Sequence, residues 1–233
     1  MTVPTFGEVL LSWKPCPASN STQDIKYFVN ISTPDYDEQY YTQRCNSSRI
    51  LALHRGLHAQ VSITKWNQGV QLSLSVPLSK VLRPTGEEGT AATNLSCLIH
   101  TRESLNISLT CNWTAGAKAP LDTQYYLYYR CVEAPADAVS FIVPSRFGNK
   151  AEKCHEYVTE RGGQRHTGCY VPSSYIELFG LNDQILVLIN GSSRTRGIQS
   201  IDHVYETSSI GEWNRNSGLE ESSLHVIGHM PTL

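Results

Sequence analysis

The chain has 233 residues, 17% of them charged, with a formal net charge of -2 and a pI near 6.4. That length accommodates two ordinary domains, and so even a charge balance gives no electrostatic reason to expect nucleic acid or an anionic membrane as partner. Seven cysteines stand beside seven N-glycosylation acceptor patterns, at Asn20, Asn30, Asn46, Asn94, Asn106, Asn112 and Asn190, where chance would supply about two. Bridges and N-glycans belong to the secretory route, so the chain reads as extracellular, either secreted or the ectodomain of a plasma-membrane protein.

In chain order, residues 1–8 have no basic start, apolar run or small-residue cleavage site, so they do not read as a signal peptide. No window is apolar enough to span a bilayer, and 185–189 reads as one buried strand. Val9, Leu11 and Trp13 alternate with Leu10 and Ser12 until Pro15-Cys16-Pro17 ends the strand. A second strand places Ile25, Tyr27, Val29 and Ile31 on one face and Lys26, Phe28, Asn30 and Ser32 on the other, with Asn30 outward. Residues 34–38 read as an acidic turn carrying Asp35, Tyr36, Asp37 and Glu38, followed by a short aromatic strand at 39–45 and two more strands at 61–64 and 72–76. Residues 84–89 are turn-rich, charged and free of apolar side chains. They separate a first domain at 1–83, through a linker at 84–92, from a second at 93–206.

The second half replays the first at an offset of about a hundred residues, with Trp113 answering Trp13. Its strongest stretch is 106–113. Ile107, Leu109, Cys111 and Trp113 are apolar while Asn106, Ser108, Thr110 and Asn112 are polar, which gives one dry face and one face bearing two acceptor asparagines. Strands are expected at 94–100, 106–113, 123–130, 153–157, 166–170, 184–190 and 197–205, and 207–233 reads as an irregular tail. The expected fold is all-β, two tandem fibronectin type III or immunoglobulin-like β-sandwiches.

On this map Cys97 and Cys111 fall on adjacent strands, as do Cys154 and Cys169 on later ones, and each pair closes a loop worth roughly 3 kcal/mol. Cys16 and Cys45 stay open between a bridge and two thiols, and Cys131 is the odd one. No enzyme signature emerges. His54 and His58 flank a glycine among strands, where a spacing of four does not bring side chains together on a metal, and a bridge accounts for Cys154 better than an activated thiol next to His155. Gly-x-Ser-x-Gly, phosphate-loop and His-Glu-x-x-His patterns are absent, so no catalytic residue, metal or cofactor is expected. Tyr125, Tyr126, Tyr128 and Tyr129 form either an aromatic binding strip or, as alternating residues, half core and half surface.

The run 119–130, Ala-Pro-Leu-Asp-Thr-Gln-Tyr-Tyr-Leu-Tyr-Tyr-Arg, follows Cys111-Asn-Trp113 and precedes Lys153-Cys-His-Glu-Tyr157, Gly168-Cys169 and Ile189-Asn-Gly-Ser-Ser193. Together with Leu53-His-Arg-Gly56, this framework resembles the type I cytokine receptors, in the branch whose ligands are interleukin-5, interleukin-3 and granulocyte-macrophage colony-stimulating factor. The resemblance covers about residues 8–205, an additional N-terminal domain and the first half of the cytokine-binding pair. It implies a ligand-binding subunit for a helical cytokine, interleukin-5 or a relative, and a shared cytokine receptor beta subunit as partner of the full-length form. It also implies that Asp35, Tyr36, Asp37 and Glu38 face the ligand, where carboxylates on a rigid turn steer basic side chains. The alternatives are an alpha subunit for interleukin-3 or granulocyte-macrophage colony-stimulating factor, and a secreted adhesion module on the same fold. Against the family pattern, 131–146 reads as an insertion that supplies Cys131. Residues 211–217, with one Trp, stand where a third domain would lead to Trp-Ser-x-Trp-Ser, so the expectation is a truncated or soluble form lacking that domain, the membrane anchor and the signalling segment.

Overall fold

The computed structural model describes residues 1–3, 6–14, 25–67, 70–73, 75–102, 106–132, 151–176, 184–206 and 223–226. Among these, the regular elements are strands, interrupted by one short 3-10 turn at Ser173–Tyr175. The chain divides into two compact units, Met1–Pro84 and Thr85–Leu233.

In the first unit β1 (Glu8–Ser12) pairs antiparallel with β4 (Asn46–Ile50). The larger sheet runs β3 (Tyr36–Thr42), β2 (Ile25–Thr33), β5 (Leu57–Asn67) and β6 (Val70–Ser73), with β7 (Leu78–Leu82) also on β5. The period of two works here as the pattern requires. Val9 and Leu11 from β1, and Trp13 just beyond it, pack with Tyr27, Val29, Ile31, Leu57 and Ala59 into one buried cluster. β4 and β7 escape a reading by alternation because Asn46-Ser-Ser-Arg-Ile50 offers no apolar repeat and Leu78-Ser-Lys-Val-Leu82 lies largely in water. Backbone pairing, which any side chain permits, decides both.

The second unit stacks a five-stranded sheet on a four-stranded one. The first is ordered β12 (Glu156–Thr159), β13 (His166–Val171), β9 (Asn106–Thr114), β8 (Thr93–Arg102), β16 (Ser223–Val226). The second is ordered β11 (Glu152–Lys153), β10 (Gln124–Val132), β14 (Gln184–Ser192), β15 (Ile201–Glu206). Leu109, Cys111 and Trp113 of β9 lie in the core with Tyr125, Leu127 and Tyr129 of β10, as the alternation predicts. Two core polar groups find acceptors on neighbouring segments. The Trp113 indole N–H donates to the His166 carbonyl at 2.9 Å, and the Tyr125 hydroxyl donates to the Thr90 carbonyl at 2.7 Å while accepting from the Gly116 N–H.

Both expected bridges of the second unit are present, Cys97–Cys111 and Cys154–Cys169. In register, Cys97 faces Cys111 across β8 and β9, and Cys111 faces Cys169 across β9 and β13. Cys45 is disulfide-bonded, whereas Cys16 lies outside the described residues. Cys131 keeps its thiol.

Several boundaries differ from the sequence reading. The acidic stretch is not all turn: Pro34 and Asp35 make the hairpin loop, and Tyr36, Asp37 and Glu38 already belong to β3. Much of 84–92 is docked on the second unit, because Glu87 N–H binds the Gly197 carbonyl and both Thr90 and Ala92 are buried. The strand expected at 153–157 splits into β11 and β12, since the chain changes sheets at Cys154 and His155. Cys131 and Val132 extend β10 against Ile185 and Gln184, so the segment read as an insertion starts as strand, and its remainder lies outside the described residues. In addition, Ser223–Val226, within the stretch read as an irregular tail, pairs with β8, whose backbone would otherwise be an open edge.

Replacing Cys154 and Cys169 together by Ser opens a loop whose closure is worth roughly 3 kcal/mol. Chemical denaturation is expected to show a correspondingly lower midpoint with the β signal in circular dichroism retained; an unchanged midpoint would mean that the bridge does not hold the sheets.

Candidate functional site

Register decides which way the acidic hairpin faces. Glu38 pairs with Ile31 and Tyr40 with Val29, so these side chains share the core face, whereas Asp37 pairs with Ser32 and looks outward. On the inner side Glu38 meets Arg49, which stands opposite Val9 on β4 in the other sheet. The contact is bidentate, with Arg49 Nε to Glu38 Oε2 at 2.6 Å and Nη2 to Oε1 at 2.8 Å. Two flat groups joined by parallel bonds make the strong form of a charged hydrogen bond. The Tyr36 hydroxyl donates to Glu38 Oε2 at 2.6 Å, the Arg49 guanidinium lies 4.6 Å from the Tyr40 ring centre, and Tyr40 and Ser47 join by their hydroxyls. Glu38 and Arg49 keep 30% and 26% of their side-chain surface. The contact is therefore a latch at the rim of the sandwich, wetter than the core.

The electrostatics follow from this geometry. Arg49's hydrogen bonds hold the Glu38 carboxyl below its ordinary value of 4.5, against an opposing push from burial. Burial, and then the bond to Glu38, push the Tyr36 phenol up to about 12. Tyr40 is raised, chiefly by burial.

Asp35 and Asp37 behave differently. Both are exposed, and Asp35 makes one ion pair with Arg55 at 2.7 Å. Arg55 sits in a tight turn closed by the Gly56 N–H on the Leu53 carbonyl. Gly56 has φ of +92°, and a Cβ there would come within 2.9 Å of the Leu82 carbonyl oxygen, so the motif Leu53-His-Arg-Gly56 requires glycine at its end. Asp37 heads an outward row with Ser32, His58 and Val81 across β3, β2, β5 and β7. His54 and His58, set aside as zinc ligands, lie in that turn and on β5 respectively.

Of the four residues expected to face a ligand, the structure thus leaves Asp35 and Asp37 accessible and uses Glu38 and Tyr36 to join the sheets. Sequence reasoning missed Arg49, Tyr40 and Ser47, because nothing in Asn46-Ser-Ser-Arg49 announces a charge facing inward. Arg55 was within reach, lying inside a motif already noted.

The tyrosines of β10 divide by alternation. Tyr125 and Tyr129 are core, while Tyr126 and Tyr128 are half-buried. Lys153 Nζ lies 4.1 Å from the Tyr126 ring centre, Tyr126 meets His166 edge-on, and Tyr157 stacks on His166 at 3.9 Å. The Tyr157 hydroxyl reaches across to accept from the Leu127 N–H at 3.2 Å. Together these close the edge of the second sandwich.

Among the acceptor asparagines, Asn46, Asn94, Asn112 and Asn190 are exposed. Asn94 sits at a break in the β8 register with a positive φ of 54°, which Asn tolerates. Asn30 is outward by register, yet half-buried with an enclosed Oδ1, since Gln39 and Gln60 flank it on both sides. Asn20 and the Asn106 side chain fall outside the described residues.

Comparison with known proteins places this geometry in context. A family described as "Interleukin-6 receptor alpha chain, binding" matches residues 94–210. The chain is 34% identical over 238 aligned residues to interleukin-5 receptor subunit alpha of Mus musculus, covering 97% of this chain and 53% of that protein. It is 32% identical over 217 aligned residues to the Homo sapiens protein of the same name, covering 90% and 47%. The chain spans about half the length of these curated relatives.

The latch has a pH signature. Because Glu38 titrates below its ordinary value, its stabilisation is fully present above pH 4.5 and is lost as the pH falls through the depressed folded value. Glu38→Gln is expected to lower stability at neutral pH by about 1–2 kcal/mol, discounted for partial exposure. It is also expected to flatten this part of the acid slope. Urea midpoints for both chains, measured from neutral pH into acid, check this; parallel curves would count against the latch.

Proposed function

The chain belongs to the type I cytokine receptor family, and from that premise we propose that it is the ligand-binding subunit for a helical cytokine, interleukin-5 ahead of its relatives. The likeness to two interleukin-5 receptor alpha subunits supports the choice of ligand. The observation that carries the reading is the acidic hairpin. Asp37 is held on the outer face of a strand whose opposite face is latched through Glu38 to Arg49, and Asp35 stands in the loop that leads into it. A carboxylate on a rigid element meets a basic partner without first being ordered, and so loses less entropy on binding. Asp35 already pairs with a guanidinium, Arg55, in an exposed geometry worth at most about 1 kcal/mol. An Arg or Lys from a helical ligand can therefore take the place of Arg55 there.

In this reading Glu38 and Tyr36 are positioning residues. The chain works outside the cell, with the exposed Asn46, Asn94, Asn112 and Asn190 as carriers of N-glycans, and in the full-length receptor a shared beta subunit joins the bound complex.

A titration of immobilised interleukin-5 with the chain is expected to saturate. Asp35→Asn with Asp37→Asn is expected to weaken it about tenfold, mostly through slower association and a shallower salt dependence. No saturable signal from a folded chain would remove this reading. A second measurement concerns the sugars: glycosidase treatment of protein from secreting cells is expected to lower its mass and leave its circular dichroism unchanged, whereas an unmodified Asn112 and Asn190 in peptide maps would contradict their assignment as carriers.

A further inference from the structure

The whole-chain charge of -2 conceals an asymmetry. Residues 1–84 hold eight Lys and Arg against five Asp and Glu, a net of +3, which leaves 11 against 16, a net of -5, for residues 85–233 out of totals of 19 and 21. The first unit is the basic one, and two of its arginines line one cleft. An open cleft of about 350 Å³ lies at one end of its larger sheet, lined by Arg55, His58 and Arg83, by the hydroxyl residues Ser32 and Thr33, and by Leu57 and Val81 among the apolar side chains. Among the described residues, no carboxylate, Phe, Tyr or Trp lines it, though Asp35 is joined to the lining Arg55 at 2.7 Å. Arg83 is exposed. Two arginines beside hydroxyl residues make a setting for tetrahedral oxyanions, which guanidiniums bind in bidentate fashion. The missing aromatic anchors disfavour a peptide occupant, because tight peptide contacts centre on buried aromatic or large apolar side chains.

We propose that this cleft binds a sulfated polysaccharide of the cell surface, with sulfate groups on Arg55 and Arg83 and sugar hydroxyls on Ser32, Thr33 and His58. The acceptor asparagines and the disulfides place the chain in the compartment where such polymers lie. Arg55 links the cleft to the acidic hairpin, since it pairs with Asp35 in an exposed ion pair of little strength. A sulfate group competes with Asp35 for the same guanidinium. Occupation of the cleft therefore releases Asp35, and removal of the Asp35 charge favours occupation.

The test is a titration of a size-defined heparin oligosaccharide with the full chain, in the absence of any cytokine, at two salt concentrations. Arg55→Ala with Arg83→Ala is expected to weaken binding about tenfold or more, as two charge-assisted contacts are lost. Arg83→Ala alone removes an exposed side chain and keeps the measurement interpretable should the double variant fold poorly. Asp35→Asn is expected to tighten binding about threefold by removing the competing carboxylate, while Arg161→Ala, on an exposed turn of the second unit, is expected to leave it unchanged. The proposal is overturned if the cleft variants bind like the parent, if Asp35→Asn weakens binding, or if desulfated oligosaccharide or polyglutamate binds as well as the sulfated probe. Asp35→Asn carries opposite expectations for the cytokine and for the oligosaccharide, so the failure of one reading is distinguishable from the failure of the other.

Discussion

Cys97, Cys111 and Cys169 stand side by side across β8, β9 and β13, and this row of inward sulfurs admits a single register. A slip of one residue in any of the three strands would turn its sulfur to solvent and bring an outward polar residue into the core. The Cys97–Cys111 bridge locks two of the strands directly. The Cys154–Cys169 bridge does more, since Cys154 sits where the chain leaves β11 in one sheet for β12 in the other, so it ties the layers together as well as the strands. Once the register is set, Asn112 must face outward and Trp113 must face inward, where its N–H finds the His166 carbonyl.

The first unit closes its rim differently. Glu38 and Arg49 reach toward each other from opposite sheets, flanked by Tyr36, Tyr40 and Ser47. An ion pair buried to this degree keeps part of its hydration, so its attraction is not cancelled by the penalty that deeply buried charges incur. The consequence for function is direct. On a β-strand successive side chains point to opposite faces, so one short acidic run serves two purposes: Glu38 and Tyr36 hold the sandwich, and Asp35 and Asp37 are offered to whatever approaches. A substitution at Glu38 acts through the frame, whereas one at Asp37 acts at the surface.

Arg55 joins the two surfaces of the first unit. It caps Asp35 on one side and lines the basic cleft on the other. Its position depends on Gly56, whose positive φ and close approach to the Leu82 carbonyl leave no room for a side chain. Opposite charges therefore lie within one hairpin and one turn of each other, and a single guanidinium sets the balance between them.

Alternation determined a great deal. The dry face of 106–113, the inward Val9, Leu11 and Trp13, the two tandem β units and the pairing of Cys97 with Cys111 and Cys154 with Cys169 were all legible, because burial on one face leaves a period-two trace in the chain. Tertiary structure alone decided the rest. Asn46–Ile50 became a strand through backbone bonds that carry no sequence signal, 87–92 docked because Thr90 is held by Glu87, Tyr125 and Gln199, and the acidic residues parted company because register sent Glu38 inward and Asp37 out. Each of these outcomes depends on which strand lies alongside and which sheet lies opposite, and contacts between residues far apart in the chain leave no local pattern from which they could be read.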